Sequence, residues 1–159
     1  MSKPLMVHVI TNFAGVGGAE MMLARLIQYT EHQYEHVIIA LMKTSEVYQS
    51  TLDRCQAHYA LDWNGINTLG TVSKLRTLLK KLQPATVQCW MYHANVLTSL
   101  SIIGLAQKPK VVWGIHHSLA SPKDESISTK IALGLSKILS QQASAIIYCA
   151  HSSMQQHQA

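Results

Sequence analysis

The feature that most constrains this chain is an unbroken apolar run, Val37-Ile38-Ile39-Ala40-Leu41. A strand with no polar position has no wet face. It belongs inside a parallel sheet covered by helices on both sides. Similar short runs recur along the chain, and segments of helical period separate them. Met6–Ile10 is the first strand, and it stops at a glycine-bearing loop, Asn12 to Gly18. Ala19–Thr30 follows as a helix, with Met22, Leu23, Leu26 and Ile27 on one face. The apolar run lies within a second strand, His36–Met42. Glu46–Gln56 reads as a short helix and His58–Leu61 as a weak third strand.

Thr68–Gln83 is the clearest amphipathic helix. Val72, Leu75, Leu78, Leu79 and Leu82 share a face, basic residues flank it, and Pro84 ends it. Strand Thr86–Met91, helix Ala94–Ala106 and strand Lys110–Ile115 come next. A polar loop spans Ser118–Glu125. Helix Ser128–Gln142 aligns Ile131, Leu135, Ile138 and Leu139, and Ser144–Cys149 is a sixth strand. Ser152 and Gln155 have the spacing of a helix start, yet few residues follow, so the chain is expected to continue beyond Ala159. The expectation is one doubly wound α/β domain over residues 1–159, Rossmann-like, with a parallel sheet of six strands and helices on both faces. Right-handed crossovers place ligand sites outside the carboxyl ends of such strands.

Composition supports a globular chain: 48% of the 159 residues are hydrophobic and 13% charged. The net charge of +5 suits a nucleotide or an anionic lipid surface and selects neither. No Arg-rich run with interleaved aromatics is present, which argues against nucleic acid. Cys55, Cys89 and Cys149 are far apart and set among apolar neighbours, as buried reduced thiols are. No stretch is long and apolar enough to span a bilayer, and the start lacks a signal-peptide core. A cytoplasmic protein is expected, with peripheral contact at the inner face of the membrane as a further option for the basic helix.

The first loop, Asn12-Phe13-Ala14-Gly15-Val16-Gly17-Gly18, leads into a helix. Glycine lets backbone approach a phosphate closely, and the helix start offers free N–H groups. The same residues also suit a plain tight turn. A dinucleotide fingerprint fails, because Glu20 stands at its third glycine and no acid ends the second strand. No Gly-Lys-Ser/Thr is present either. Three imidazoles follow neighbouring strands: His93 after the fourth, His116 and His117 after the fifth. Proton handling near neutral pH, metal ligation helped by Cys89 or Asp124, and plain loop or cap roles all fit them. No known ligand spacing is matched, so no metal is expected.

The chain resembles the amino-terminal domain of family 4 glycosyltransferases of the GT-B fold. The resemblance rests on Val7-His8-Val9-Ile10 with Gly17-Gly18-Ala19-Glu20, on Gln88-Cys89-Trp90-Met91-Tyr92-His93-Ala94-Asn95, on Trp113-Gly114-Ile115-His116-His117-Ser118, and on Ile146-Ile147-Tyr148-Cys149 followed by Ser152. It implies a retaining, metal-independent transfer of a sugar from a nucleotide diphosphate sugar to a glycan or lipid-linked acceptor, often in cell-envelope polysaccharide synthesis. It implies that Gly17 and Gly18 meet the donor diphosphate. His117, or failing it His116, lies near the transferred sugar. Asn12, His93, Asn95 and Ser118 fall on the acceptor side. The resemblance also implies a carboxy-terminal GT-B domain as partner, without which this chain is expected to be inactive. The competing readings are a non-catalytic α/β binding or regulatory module and a self-associating scaffold.

Overall fold

The structure, a computed structural model, describes residues 2–115, 131, 134–135, 139–140 and 143–148. Six strands form one sheet: β1 (Leu5–Ile10), β2 (Glu35–Ala40), β3 (Ala57–Ala60), β4 (Thr86–Trp90), β5 (Lys110–Ile115) and β6 (Ala145–Tyr148). All pairings are parallel, in the order β3-β2-β1-β4-β5-β6. This is the doubly wound order expected from the alternation of patterns. The order reverses between β1 and β4, which opens a crevice at their carboxyl ends. Ile10 stands level with Ala40 on one side and Trp90 on the other, and Trp90 stands level with Gly114. The loops after these four strands therefore spring from one line.

Period-two alternation sends the strand residues into two cores. Val7, Val9, Val37, Ile39, Val87, Cys89 and Trp113 face one side. There they meet Leu75 and Leu79 of helix α3 (Thr68–Leu82) and Val96 and Leu97 of helix α4 (Tyr92–Ser101). Ile10, Ile38, Ala40 and Trp90 face the other side. They meet Ala19, Leu23 and Ile27 of helix α1 (Gly18–Thr30). A 3-10 turn, Glu46–Tyr48, runs into the short helix α2 (Gln49–Asp53) and completes that second layer.

Several elements differ from the sequence pattern. The buried stripe of α1 is Ala19, Leu23 and Ile27, and Met22 is half exposed. Leu26 packs against the same cluster and is partly buried. Helix α4 covers Tyr92–Ser101, not Ala94–Ala106. It starts early because Met91 takes the cap position in a positive-φ conformation, φ 80° and ψ 165°. It stops early because Gly104 turns left-handed at φ 76° and Arg76 of α3 donates to the carbonyls of Ser101 and Ile103. At the end of α3, Gln83 adopts the left-handed conformation ahead of Pro84 and its N–H closes on the Leu79 carbonyl. In the predicted helix 128–142, Leu139 is in the core, while Ile131 and Leu135 are exposed. Cys55 and Cys89 are free thiols whose burial pushes them up to about 12. Cys149 lies outside the described residues.

Candidate functional site at the carboxyl edge of the sheet

The glycine loop leaves β1 and is tied down by the segment after β2. Phe13 is fully buried and stacks on Tyr48 with ring centroids 4.2 Å apart. Its N–H donates to the Lys43 carbonyl at 2.9 Å. The Tyr48 hydroxyl donates to the Gly15 carbonyl at 2.7 Å. Asn12 spends its side-chain oxygen on the Lys43 N–H at 3.3 Å. That bond gives Asn12 a loop-fixing role. Neither Phe13 nor Tyr48 stood out in the sequence, although an aromatic pair beside a glycine turn is the signal that would have found them.

Gly17 caps α1 in extended backbone, so neither it nor Gly18 needs glycine for its torsions. Their value is space. A Cβ at Gly17 would collide with the Glu20 carboxylate, which folds back over the helix start. A Cβ at Gly18 would meet nothing within 4 Å. The N–H groups of the first turn have no partner within the helix, and the helix dipole is positive here. An anion has an open approach at Gly18 and must displace Glu20 to settle on Gly17.

Across the crevice, Met91 holds φ 80° and ψ 165°, a region that side chains rarely enter. Its N–H donates to Gly114 of β5 and its carbonyl accepts from Asn95. Tyr92 and His93, which precede the helix expected from Ala94, belong to the first turn of α4. His93 sits in that turn, half-buried, with its ring 5.1 Å from that of Trp63. Burial lowers its pKa, so the imidazole is neutral at pH 7. His93 and Trp63 help line an apolar pocket of about 220 Å³ between α3 and α4. Asn95 is fully buried, and both side-chain polar atoms lack a partner. It belongs to the core beneath the edge, because the helix begins two residues earlier than the pattern indicated and turns this side chain inward.

Beneath α1 lies a second set of residues that the pattern did not single out. Trp90 Nε1 donates to His8 Nδ1 at 3.3 Å, His8 Nε2 meets His36 Nδ1 at 2.9 Å, and His36 Nε2 meets the Thr30 hydroxyl at 3.0 Å. Thr30 in turn donates to the Leu26 carbonyl. Because an indole N–H only donates, every proton in this chain points the same way and both imidazoles are the neutral Nε2–H form. His8 in an otherwise apolar strand was the available signal.

His116, His117 and Ser118 lie outside the described residues. The strand they follow, β5, ends on the same edge as β1 and β4. Among the described residues no cluster of three His, Cys, Asp or Glu side chains is arranged to hold a metal ion. No helix among them is long and apolar enough to cross a membrane.

A family model described as Glycosyltransferase Family 4 matches residues 16–159, from the glycine loop onward. The chain belongs to this family. No curated protein matches it at a significant level. Among solved structures, this family 4 chain is similar to Anabaena Alr3699/HepE in complex with UDP and glucose. The TM-score is 0.69 at 14% identity, over 96% of this chain and 40% of that one. It is similar to the lipopolysaccharide outer core galactosyltransferase WaaB in its apo form, with a TM-score of 0.70 at 13% identity over 96% and 41%. It is also similar to Acinetobacter baumannii MurG, with a TM-score of 0.62 at 14% identity over 94% and 43%. The chain thus spans about two fifths of the length of each of these proteins. At these identities the likeness is one of fold, the Rossmann-like sheet of GT-B transferases.

Proposed function

We propose that this family 4 chain is the acceptor-side half of a retaining glycosyltransferase. The donor is a nucleoside-diphosphate hexose, and the acceptor is a glycan or a lipid-linked glycan of the cell envelope. The observation that carries this reading is the open helix start at Gly18, on the switch-point edge, at the end of a loop locked by Phe13 and Tyr48. As the bond from the sugar to the diphosphate breaks, negative charge grows on the leaving oxygen. Fixed N–H groups and the α1 dipole offset that charge without reorganising. No metal is required in this scheme. His117, with His116 as second choice, hydrogen-bonds a hydroxyl of the transferred sugar and orients it. Asn12, Ser118 and the neutral imidazole of His93 hold the acceptor, and Asn95 supports them from beneath. The complexes of HepE with UDP and glucose, and the galactosyltransferase activity in the name of WaaB, are in keeping with a nucleotide-sugar donor. A carboxy-terminal GT-B domain supplies the rest of the nucleotide site, so this chain alone transfers no sugar.

Titration of the 159-residue chain with UDP-glucose, followed through backbone amide shifts, tests the reading. Weak, saturable shifts at Gly15–Glu20 are expected, with no sugar nucleotide consumed. Gly18→Ala keeps the fold, since its Cβ enters open space, and weakens these shifts at least severalfold. Robust turnover by the chain alone would refute the half-enzyme reading. Shifts confined to other regions would refute the role of the glycine loop.

A further inference from the structure

At the opposite edge of the sheet, where β4 and β5 begin, lies a groove of about 670 Å³. The end of α3, the first residue before β4 and the segment joining α4 to β5 enclose it. Its walls are apolar at Leu79, Pro84, Leu105 and Pro109, and its rim carries Lys80, Lys108 and Lys110. No acidic residue lines it. None lies near it in sequence either: between Asp62 and Asp124 the chain has seven Lys and Arg residues and no Asp or Glu. The ion pairs among the described residues, Lys3–Glu35 and Arg54–Glu31, involve no residue of its lining, although Glu35 opens β2 on the same edge of the sheet.

A solvated surface explains part of this. Lys80 is in the last turn of α3, where a cation complements the helix dipole. That explanation does not reach Lys108 and Lys110, which flank Pro109 before and at the start of a strand. Lys110 is also held by its backbone, its N–H donating to the Ala85 carbonyl across the groove floor. A concave space within the size range of ligand sites, apolar inside and cationic at its rim, suits a phosphorylated amphiphile. Its apolar part rests on the leucines and prolines while its phosphoryl oxygens meet the ammonium groups.

We propose that this groove is a second binding site, for phosphoryl anions, separate from the carboxyl edge and independent of the transfer reaction. The shared chemistry is a phosphate or diphosphate group, borne by a soluble compound or by a lipid headgroup.

The test uses inorganic pyrophosphate and, separately, phosphatidylglycerol vesicles with the 159-residue chain. Pyrophosphate is expected to shift amides within residues 79–85 and 105–110, and Lys108→Gln with Lys110→Gln to weaken this about tenfold or more. Both lysines are exposed, so the double variant retains a dispersed amide spectrum. Pyrophosphate shifts without vesicle protection of these amides support a soluble ligand. Vesicles that protect the same amides from hydrogen exchange, with protection lost in the double variant, support a headgroup. Shifts only at Gly15–Glu20, shifts unaltered in the double variant, or no response to either probe would overturn the proposal. The Gly18→Ala chain binds pyrophosphate here unchanged, which separates this site from the glycine loop.

Discussion

His8 is enclosed on β1 beneath α1, and its two ring nitrogens are spent on Trp90 and His36. Burial, reinforced by the neighbouring His36, pushes its pKa down to about 3. Burial lowers His36 as well, against the Thr30 hydrogen bond and nearby glutamates. An unfolded imidazole takes up a proton near pH 6.5, while folded His8 does so only near 3. Between those values the unfolded chain holds more protons, so acid favours unfolding. Stability should be level above about pH 7 and fall by roughly 2 kcal/mol by pH 5 from His8 alone. Urea unfolding at several pH values measures this, and a flat profile would show that the imidazoles are not shielded. Met91 makes a second residue-scale test. Its torsions suit only glycine, so Met91→Gly removes strain while Met91→Ala keeps it. The glycine variant should be the more stable of the two by about 1 kcal/mol, the reverse of the usual order. Unfolding midpoints of the two variants decide it.

At the scale of elements, α3 and α4 form one layer through a shared apolar core, and one long side chain ties them together. Arg76 reaches from the middle of α3 to the carbonyls of Ser101 and Ile103, the groups that α4 leaves open where it ends. Arg76→Ala should cost about 1–3 kcal/mol, since those carbonyls lose a charged donor. The loss should be local as well as global. Hydrogen exchange at residues 101–106 is expected to rise more than at β4, and equal rises would count against the tie. The same tie explains why α4 is shorter than its sequence pattern. Ala94–Ala106 has a continuous apolar pattern, and nothing in it reveals an arginine 25 residues earlier that terminates the helix at Ser101. The early start has a similar cause, since it depends on Met91 accepting a strained conformation.

For the molecule as a whole, charge and apolar exposure share one layer. The acid-free stretch from Trp63 onward builds α3 and α4, which cover one face of the sheet. At the carboxyl edge of that layer, Ile66 is 97% exposed and Leu69 87% exposed, beside the pocket lined by Trp63 and His93. We predict peripheral contact with an anionic bilayer here, with these two side chains inserted. Ile66→Asp should reduce cosedimentation with phosphatidylglycerol vesicles about tenfold, from the loss of one buried side chain. Vesicle binding unchanged by this variant would remove the contact, and would leave the lysine groove on the other edge untouched.

The strands, their parallel direction and the helical layers on both faces were legible from the residues alone. An apolar run such as Val37–Leu41 can be satisfied only between two helical layers, and Gly17-Gly18 before a helical pattern marks a turn into a helix. These are local constraints, set by side-chain period and backbone sterics within a few neighbours. The tertiary structure decided everything that depends on distant partners. It stacked Phe13 on Tyr48 to lock the glycine loop, laid Glu20 over Gly17, and turned Asn95 into the core while His93 met Trp63. It also joined Trp90, His8, His36 and Thr30, residues up to 82 positions apart, into one oriented hydrogen-bond chain. Such contacts follow from how strands are ordered in space, and no single segment carries that order in its own pattern.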